Sequence, residues 1–329
     1  ASEAKGKKAR AEVQEALQKS LTETLHLLGA LKQWLVLVAE TQVVPIAQLV
    51  LDLMKLEQPL LARHASDVLF NHFVRRGGGG EPRAVGLLLA QVVSVLEGWD
   101  QRDADTVTSL LHVVEGGLTR LCNADMGVAL QCLPRAVHSI APLVACESEG
   151  IRFAAAETLK RLLHAAMTEE VVGEACSGQG NTASAVGSVI AGLQGMLGLR
   201  FQEGWHMALP VVQVLLHMLG GNGGPILGQG LIQKLGDLAS GAEFDRLDMV
   251  EDAIGVTVRV WGPEKVLSSL PLELEESLAG QAEGRAWLLP LLHKHVESSS
   301  LAFWGTHLVP LARKMGNASS ALAKSDRMQ

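Results

Sequence analysis

From about residue 198 to residue 315 apolar residues recur at helical spacing, and each run ends in punctuation. Phe244, Leu247, Val250, Ile254 and Trp261 fall on one face of a predicted helix, with Asp245, Asp248, Glu251 and Asp252 on the other. Gly262-Pro263 stops that helix: glycine suits a C-terminal cap, and proline suits the first turn of the next helix. Leu301, Trp304, Leu308, Leu311 and Met315 predict a second stripe. The pattern is that of paired helices, each burying one side against its neighbours.

The same pattern extends towards the N-terminus. Residues 9–39 predict a helix pair broken near Gly29, followed by a second pair whose helices start near Pro45 and Pro59. Arg75-Arg76 and Gly77 to Gly80 predict a loop. No Lys-Ser/Thr follows these glycines and no strand precedes them, so they do not make a phosphate cradle. Arg83 to Glu97 predicts a helix with Asp103 to Val114 as its partner, and Asn123 to Val144 continues with interruptions at Pro134 and Pro142. Gly173 to Ser184 predicts a polar insertion, and Gly220 to Pro225 a glycine-rich joint. Pro290 and Pro310, inside apolar runs, predict kinks that set curvature. No run alternates as strands do. The fold class expected is all-α, a solenoid of about seven stacked antiparallel helix pairs, each roughly 40 to 47 residues long.

Composition supports this picture. Of 329 residues 48% are hydrophobic, none is Tyr and only 4% are aromatic, so the core must be Leu, Val and Ala, which favours helices. No apolar run is expected to reach membrane-spanning length, and ASEAKGKKAR does not read as a secretory signal. The ends of the chain suggest a piece of something longer. Cys122, Cys132, Cys146 and Cys176 lack metal-ligand spacing and are expected as reduced thiols. A net charge of −7 means that any RNA contact must come from a local patch. Lys5, Lys7, Lys8 and Arg10 form one such patch, on an end expected to be flexible over residues 1–10.

Chemistry is sparse. No GxSxG, HExxH, P-loop or EF-hand spacing occurs. His293 and His295 are two apart, which on a helix points them to different sides, and both are expected to be solvated. Glu273, Glu275 and Glu276 are expected on a solvated face, and Trp287 and Trp304 as core anchors. No catalytic, cofactor or metal site is assigned, and no membrane or small-molecule substrate is expected.

Two resemblances sharpen the reading. IRFAAAETLKRLLHAAM, after the acidic turn at Glu147 and Glu149, resembles the second helix of a HEAT repeat; Ala155 and Ala156 would allow close approach, and the resemblance implies that Arg152 braces the neighbouring turn. Further on stand Leu199-Arg200-Phe201-Gln202-Glu203-Gly204-Trp205, Gly262-Pro263-Glu264-Lys265-Val266-Leu267, Leu270-Pro271-Leu272, Arg285-Ala286-Trp287-Leu288-Leu289-Pro290-Leu291-Leu292 and Leu308-Val309-Pro310-Leu311-Ala312. Together these resemble the ribosomal RNA processing protein twelve family, most strongly over residues 195–316. One departure is Glu273, where the family pattern leads one to expect asparagine.

The resemblance implies one HEAT-like α-solenoid segment of a longer protein, with a tail over 317–329. It also implies a nucleolar, non-enzymatic factor of the small-subunit precursor particle that assists pre-ribosome maturation and nuclear export. The expected partners are ribosome-assembly proteins and pre-ribosomal RNA. Lys160 and Arg161, with His164 on the same helix, and Arg313 with Lys314, join the N-terminal cluster as candidate RNA or partner contacts. The alternative is an importin-like receptor, engaging nuclear transport machinery through cargo or a small GTPase.

Overall fold

Within each of two units the helices lie in two layers, and most of them touch the helix two places along the chain. A computed structural model describes residues 2–35, 37–38, 40–56, 58–75, 81–100, 103–178, 180–241, 246–278 and 284–325, and by its contacts the chain divides into two units, Ala1–Ala166 and Met167–Gln329. The Gly77–Gly80 loop, Phe244 and Asp245 lie outside the described residues.

The first unit contains α1 (Ser2–Trp34), α2 (Glu40–Met54), α3 (Pro59–Arg75), α4 (Pro82–Gly98), α5 (Ala104–Ala124), α6 (Met126–Ile140) and α7 (Glu149–Ala166), with a 3-10 turn at Ala141–Ala145 before α7. One layer is α1, α3, α5 and α7, each packed on the next; the other is α2, α4 and α6. Val68, Leu69, Leu89, Leu110, Leu111, Leu133 and Leu159 fill the space between the layers and are buried. Asp103 and Asp125 start α5 and α6 by accepting hydrogen bonds from Thr106 N at 3.3 Å and Val128 N at 3.1 Å.

The second unit contains α8 (Glu169–Cys176), α9 (Gly180–Gly195), a 3-10 turn at Leu199–Gly204, α10 (Trp205–Leu227), α11 (Gln229–Ser240), α12 (Leu247–Trp261), α13 (Pro263–Ser269), α14 (Leu274–Leu278) and α15 (Leu288–His295). It ends with α16 (Leu301–Phe303), a π-helical turn at Trp304–Leu308, and α17 (Val309–Ser325). Here α8, α10, α12 and α15 make one layer, and α9, α11 and α13 the other. Val212, Leu215, Leu235, Val250, Ile254, Val266 and Leu288 are buried. Each unit is thus an all-α stack of paired helices, a HEAT-like solenoid packing in which every pair buries its apolar sides on its neighbours.

Several boundaries differ from the sequence reading. Gly29 sits inside α1, with nothing within 4 Å of where a Cβ would be; one glycine costs a helix only about 1 kcal/mol, too little to break it. Residues 2–10 are the first turns of α1, and residues 317–325 are the last turns of α17. Gly173 to Ser184 is mostly helix, shared between α8 and α9, because Thr168 caps α8 and Val171, Val172 and Ala175 are buried. Gly220 is the expected joint: with φ 63° and ψ −179° it breaks α10 in a region of backbone space open to glycine.

Pro290 causes no kink, since it falls in the first turn of α15, where its missing N–H leaves no bond unmade. Pro310 is absorbed by the π turn, in which Val309 N donates to Trp304 O, five residues back. Met126–Ala145 is long and apolar enough, by length and composition, to cross a membrane, against the expectation that no run would be. Half of that stretch is buried in the first unit, where α6 packs on α4, α5 and α7.

Candidate interaction surface

Cations of one helix pair reach acids of the next, and these contacts form the seams of both stacks. In the first unit Lys32 on α1 meets Asp67 on α3 at 2.8 Å, and Arg63 on α3 meets the α5 cap Asp103 at 3.1 Å and Asp105 at 2.9 Å. Arg161 on α7 meets Glu115 on α5 at 3.0 Å, so all four helices of that layer are linked in order. In the other layer Arg135 on α6 holds Glu97 on α4 through two nitrogens, at 3.3 and 2.8 Å, and donates to Ser94 at 2.9 Å. Arg135, then Ser139, hold the Glu97 carboxyl below its usual range.

The second unit repeats the device. Trp261 Nε1 donates to Leu216 O at 3.1 Å, Lys265 donates to Gly221 O, Arg259 pairs with Glu297 at 3.0 Å, and Lys314 pairs with Glu275 at 2.8 Å. The sequence separations of the seam hydrogen bonds run from 35 for Lys32–Asp67 to 48 for Arg120 to His72 O, about one repeat. The seams are therefore the direct physical expression of the repeat.

This places the sequence-picked cations. Arg161 is a seam residue, and Lys160 beside it pairs with Glu157 one turn away on α7. Lys314 is also a seam residue, while its neighbour Arg313 is exposed and makes no ion pair among the described residues. Lys5, Lys7, Lys8 and Arg10 lie on the first turns of α1, where Arg10 is exposed. Lys160 and Arg161 belong to the first unit and Arg313 and Lys314 to the second. Arg152 is half-buried; its guanidinium stands near Cys146 in the preceding turn, and Nε has no hydrogen-bond partner there.

Other expectations are corrected. His293 is exposed, but His295 is 7% exposed and takes part in the α12–α15 seam: its Nδ1 lies 3.2 Å from the Arg259 guanidinium, which must donate, so the ring proton sits on Nε2. Glu273 is bound by Arg285 at 2.8 Å and Glu275 by Lys314, rather than simply solvated. Trp304 is 53% exposed and Leu301 86%, so their stripe is not a buried one. Trp287 is half-buried with its indole N–H enclosed.

A groove in the second unit was not anticipated. It has a volume near 330 Å³ and lies among α13, the 271–273 turn, α14, and the helix formed by α16 and α17. The sequence carried a signal for it: the 301–315 stripe and the Glu273–Glu276 run are both visible, but nothing in the order of residues says that they face each other. Among the described residues no three of His, Cys, Asp and Glu converge as a metal site would need.

The two-layer stacks, with seam contacts recurring at one repeat, define the class as a HEAT-type helical-repeat protein. Residues 145–329 match the family described as "Ribosomal RNA-processing protein 12, HEAT repeats", and the chain belongs to that family. It is 26% identical over 311 residues to the human "RRP12-like protein", covering 93% of this chain and 24% of that protein. It is 36% identical over 118 residues to a "Putative ribosomal RNA-processing protein 12" of Schizosaccharomyces pombe, covering 36% and 10% respectively. Against the Drosophila melanogaster "RRP12-like protein" identity is 24% over 307 residues, covering 91% and 21%. The chain thus spans about a quarter or less of the length of these relatives.

Proposed function

We propose that this chain is a segment of a non-enzymatic scaffold in ribosome biogenesis. It holds assembly proteins and pre-ribosomal RNA of the small-subunit precursor, works in the nucleus and nucleolus, and accompanies the particle through maturation and export. The observation that carries this reading is the family membership together with the way each stack spends its charges. Seam ion pairs join one repeat to the next, and the remaining helix surface is a long series of modest contact points. The names of the relatives, which refer to ribosomal RNA processing, supply the biological setting.

RNA contact in this reading falls to Lys5, Lys7, Lys8, Arg10, Lys160, Arg161, Arg313 and Lys314. Arg10 and Arg313, which make no ion pair among the described residues, can meet phosphate directly. Lys160, Arg161 and Lys314 must first exchange a carboxylate for a phosphate, so they contribute less. The test is binding of the chain to a fragment of pre-ribosomal RNA across a salt series. A scaffold that grips RNA loses affinity steeply with salt, and Arg10→Ala with Arg313→Ala makes the slope shallower by about 2. A flat salt response, with the double variant unchanged, removes RNA from this reading and leaves the proteins as partners.

A further inference from the structure

We propose that the groove between α13–α14 and α16–α17 docks a basic amphipathic helix of a partner protein. Its apolar lining comes from Leu267, Leu272, Phe303, Leu308 and Leu311, and its polar lining includes four carboxylates, Glu264, Glu273, Glu275 and Glu276. Among the described residues no lysine or arginine lines it. Glu273 and Glu275 are balanced by Arg285 and Lys314, which stand outside the lining. Glu264 accepts from Ser300 N at 3.1 Å and from Ser300 Oγ, bonds that hold its carboxyl below the usual range, so it is ionised at neutral pH. Neither Glu264 nor Glu276 makes an ion pair among the described residues.

Two features of α16–α17 add to the charge argument. Phe303 and His307, four residues apart, stack at 5.1 Å on the groove side beside the π turn, and such turns concentrate at functional positions. Leu308 and Leu311 belong to the same sequence stripe as Leu301 and Trp304, which are 86% and 53% exposed, so apolar surface continues beyond the groove on the same helix. An apolar floor with an acidic rim repels phosphate. It suits leucines at i, i+3, i+4 and i+7 of a helix whose other side carries lysine or arginine. This inference goes beyond the scaffold reading and does not use the cations assigned to RNA.

The test uses the 329-residue chain and a dye-labelled amphipathic helix of about 18 residues, with leucines on one face and lysines on the other. A glutamate-for-lysine version of that peptide and a single-stranded oligouridine are the alternative ligands. The lysine peptide is expected to bind, with shifts in the methyl resonances of Leu308 and Leu311. Glu276→Lys, at an exposed site, should weaken it by about fivefold, and Leu311→Ser by about tenfold or more. Arg313→Gln should leave it unchanged. Equal binding of the acidic peptide, displacement by oligouridine, or indifference to Glu276→Lys with the fold intact would each overturn the proposal. Because none of these readouts involves pre-ribosomal RNA, their failure leaves the RNA test standing.

Discussion

The indole of Trp261 occupies the space where Gly224 would carry a Cβ, and its ring edge closes on Gly228 in the same way. The indole N–H then donates to Leu216 O, so one side chain from the end of α12 contacts α10 on both sides of its break at Gly220. Gly224→Ala forces this ring to move and should cost about 1–3 kcal/mol by overpacking. The control is Gly173→Ala in α8, where a Cβ meets nothing within 4 Å; it should be neutral or stabilising by up to about 1 kcal/mol. Urea unfolding of both variants checks the contrast, and equal midpoints would mean that Trp261 is not packed as described.

Gly220 presents the opposite case. Nothing lies within 4 Å of its missing Cβ, yet its φ is +63°. Gly220→Ala should therefore destabilise by about 1–3 kcal/mol through backbone strain alone. A thermal midpoint matching the parent's would show that the joint relaxes into an ordinary helix.

Glu273 has φ 51°, a left-handed conformation that asparagine tolerates better than glutamate. This gives a physical meaning to the asparagine expected there from the family pattern. In this chain Arg285 compensates, pairing with Glu273 at 2.8 Å and donating to Pro271 O at 2.9 Å. Glu273→Ala loses the ion pair and keeps the strain, whereas Glu273→Asn loses the pair and relieves some of it. The asparagine variant should be the more stable of the two by about 0.5–1 kcal/mol, measured by chemical unfolding. The reverse order would rule out strain at this turn.

The Arg135–Glu97 seam is half-exposed on both sides. A double-mutant cycle should give a coupling of about 0.5–1 kcal/mol, shrinking as salt is raised. A coupling near zero at low salt would make this seam a geometric accident of the stack.

Burial holds the His295 imidazole below its ordinary 6.5, and Lys294 and Arg259 act in the same direction while Asp252 opposes them. Arg259 is itself held by Glu297 across the seam. A base depressed in the folded state binds fewer protons there than in the unfolded chain. Its contribution is complete above 6.5 and is lost as pH falls through the folded value. His295→Asn, whose side-chain oxygen can still accept from Arg259, should shrink the loss of stability between about pH 7 and 5. If both proteins lose the same amount over that range, His295 is not the titrating group.

The sequence by itself determined that the chain is built of paired helices: leucines and valines at a spacing of three and four leave one side of each segment unable to face water, and Gly262-Pro263 marks where one segment must stop. It also determined the kind of repeat, because the close approach at Ala155 and Ala156 and the ordered motifs of the last third are local. The partners of its charges it left open. Arg161 and Lys314 look like free cations in the linear order, and His295 looks solvated, because each one's counterpart is set by packing; Lys160, by contrast, pairs with Glu157 on its own helix. For Arg161, Lys314 and His295 that counterpart lies one repeat away. Only the tertiary structure decided that Arg161 faces Glu115, that Arg259 covers His295, and that the 301–315 stripe lies against an acidic turn to form a groove. Periodicity fixes which side of a helix is apolar; the rotation and height of the neighbouring helix fix what each residue on that side meets.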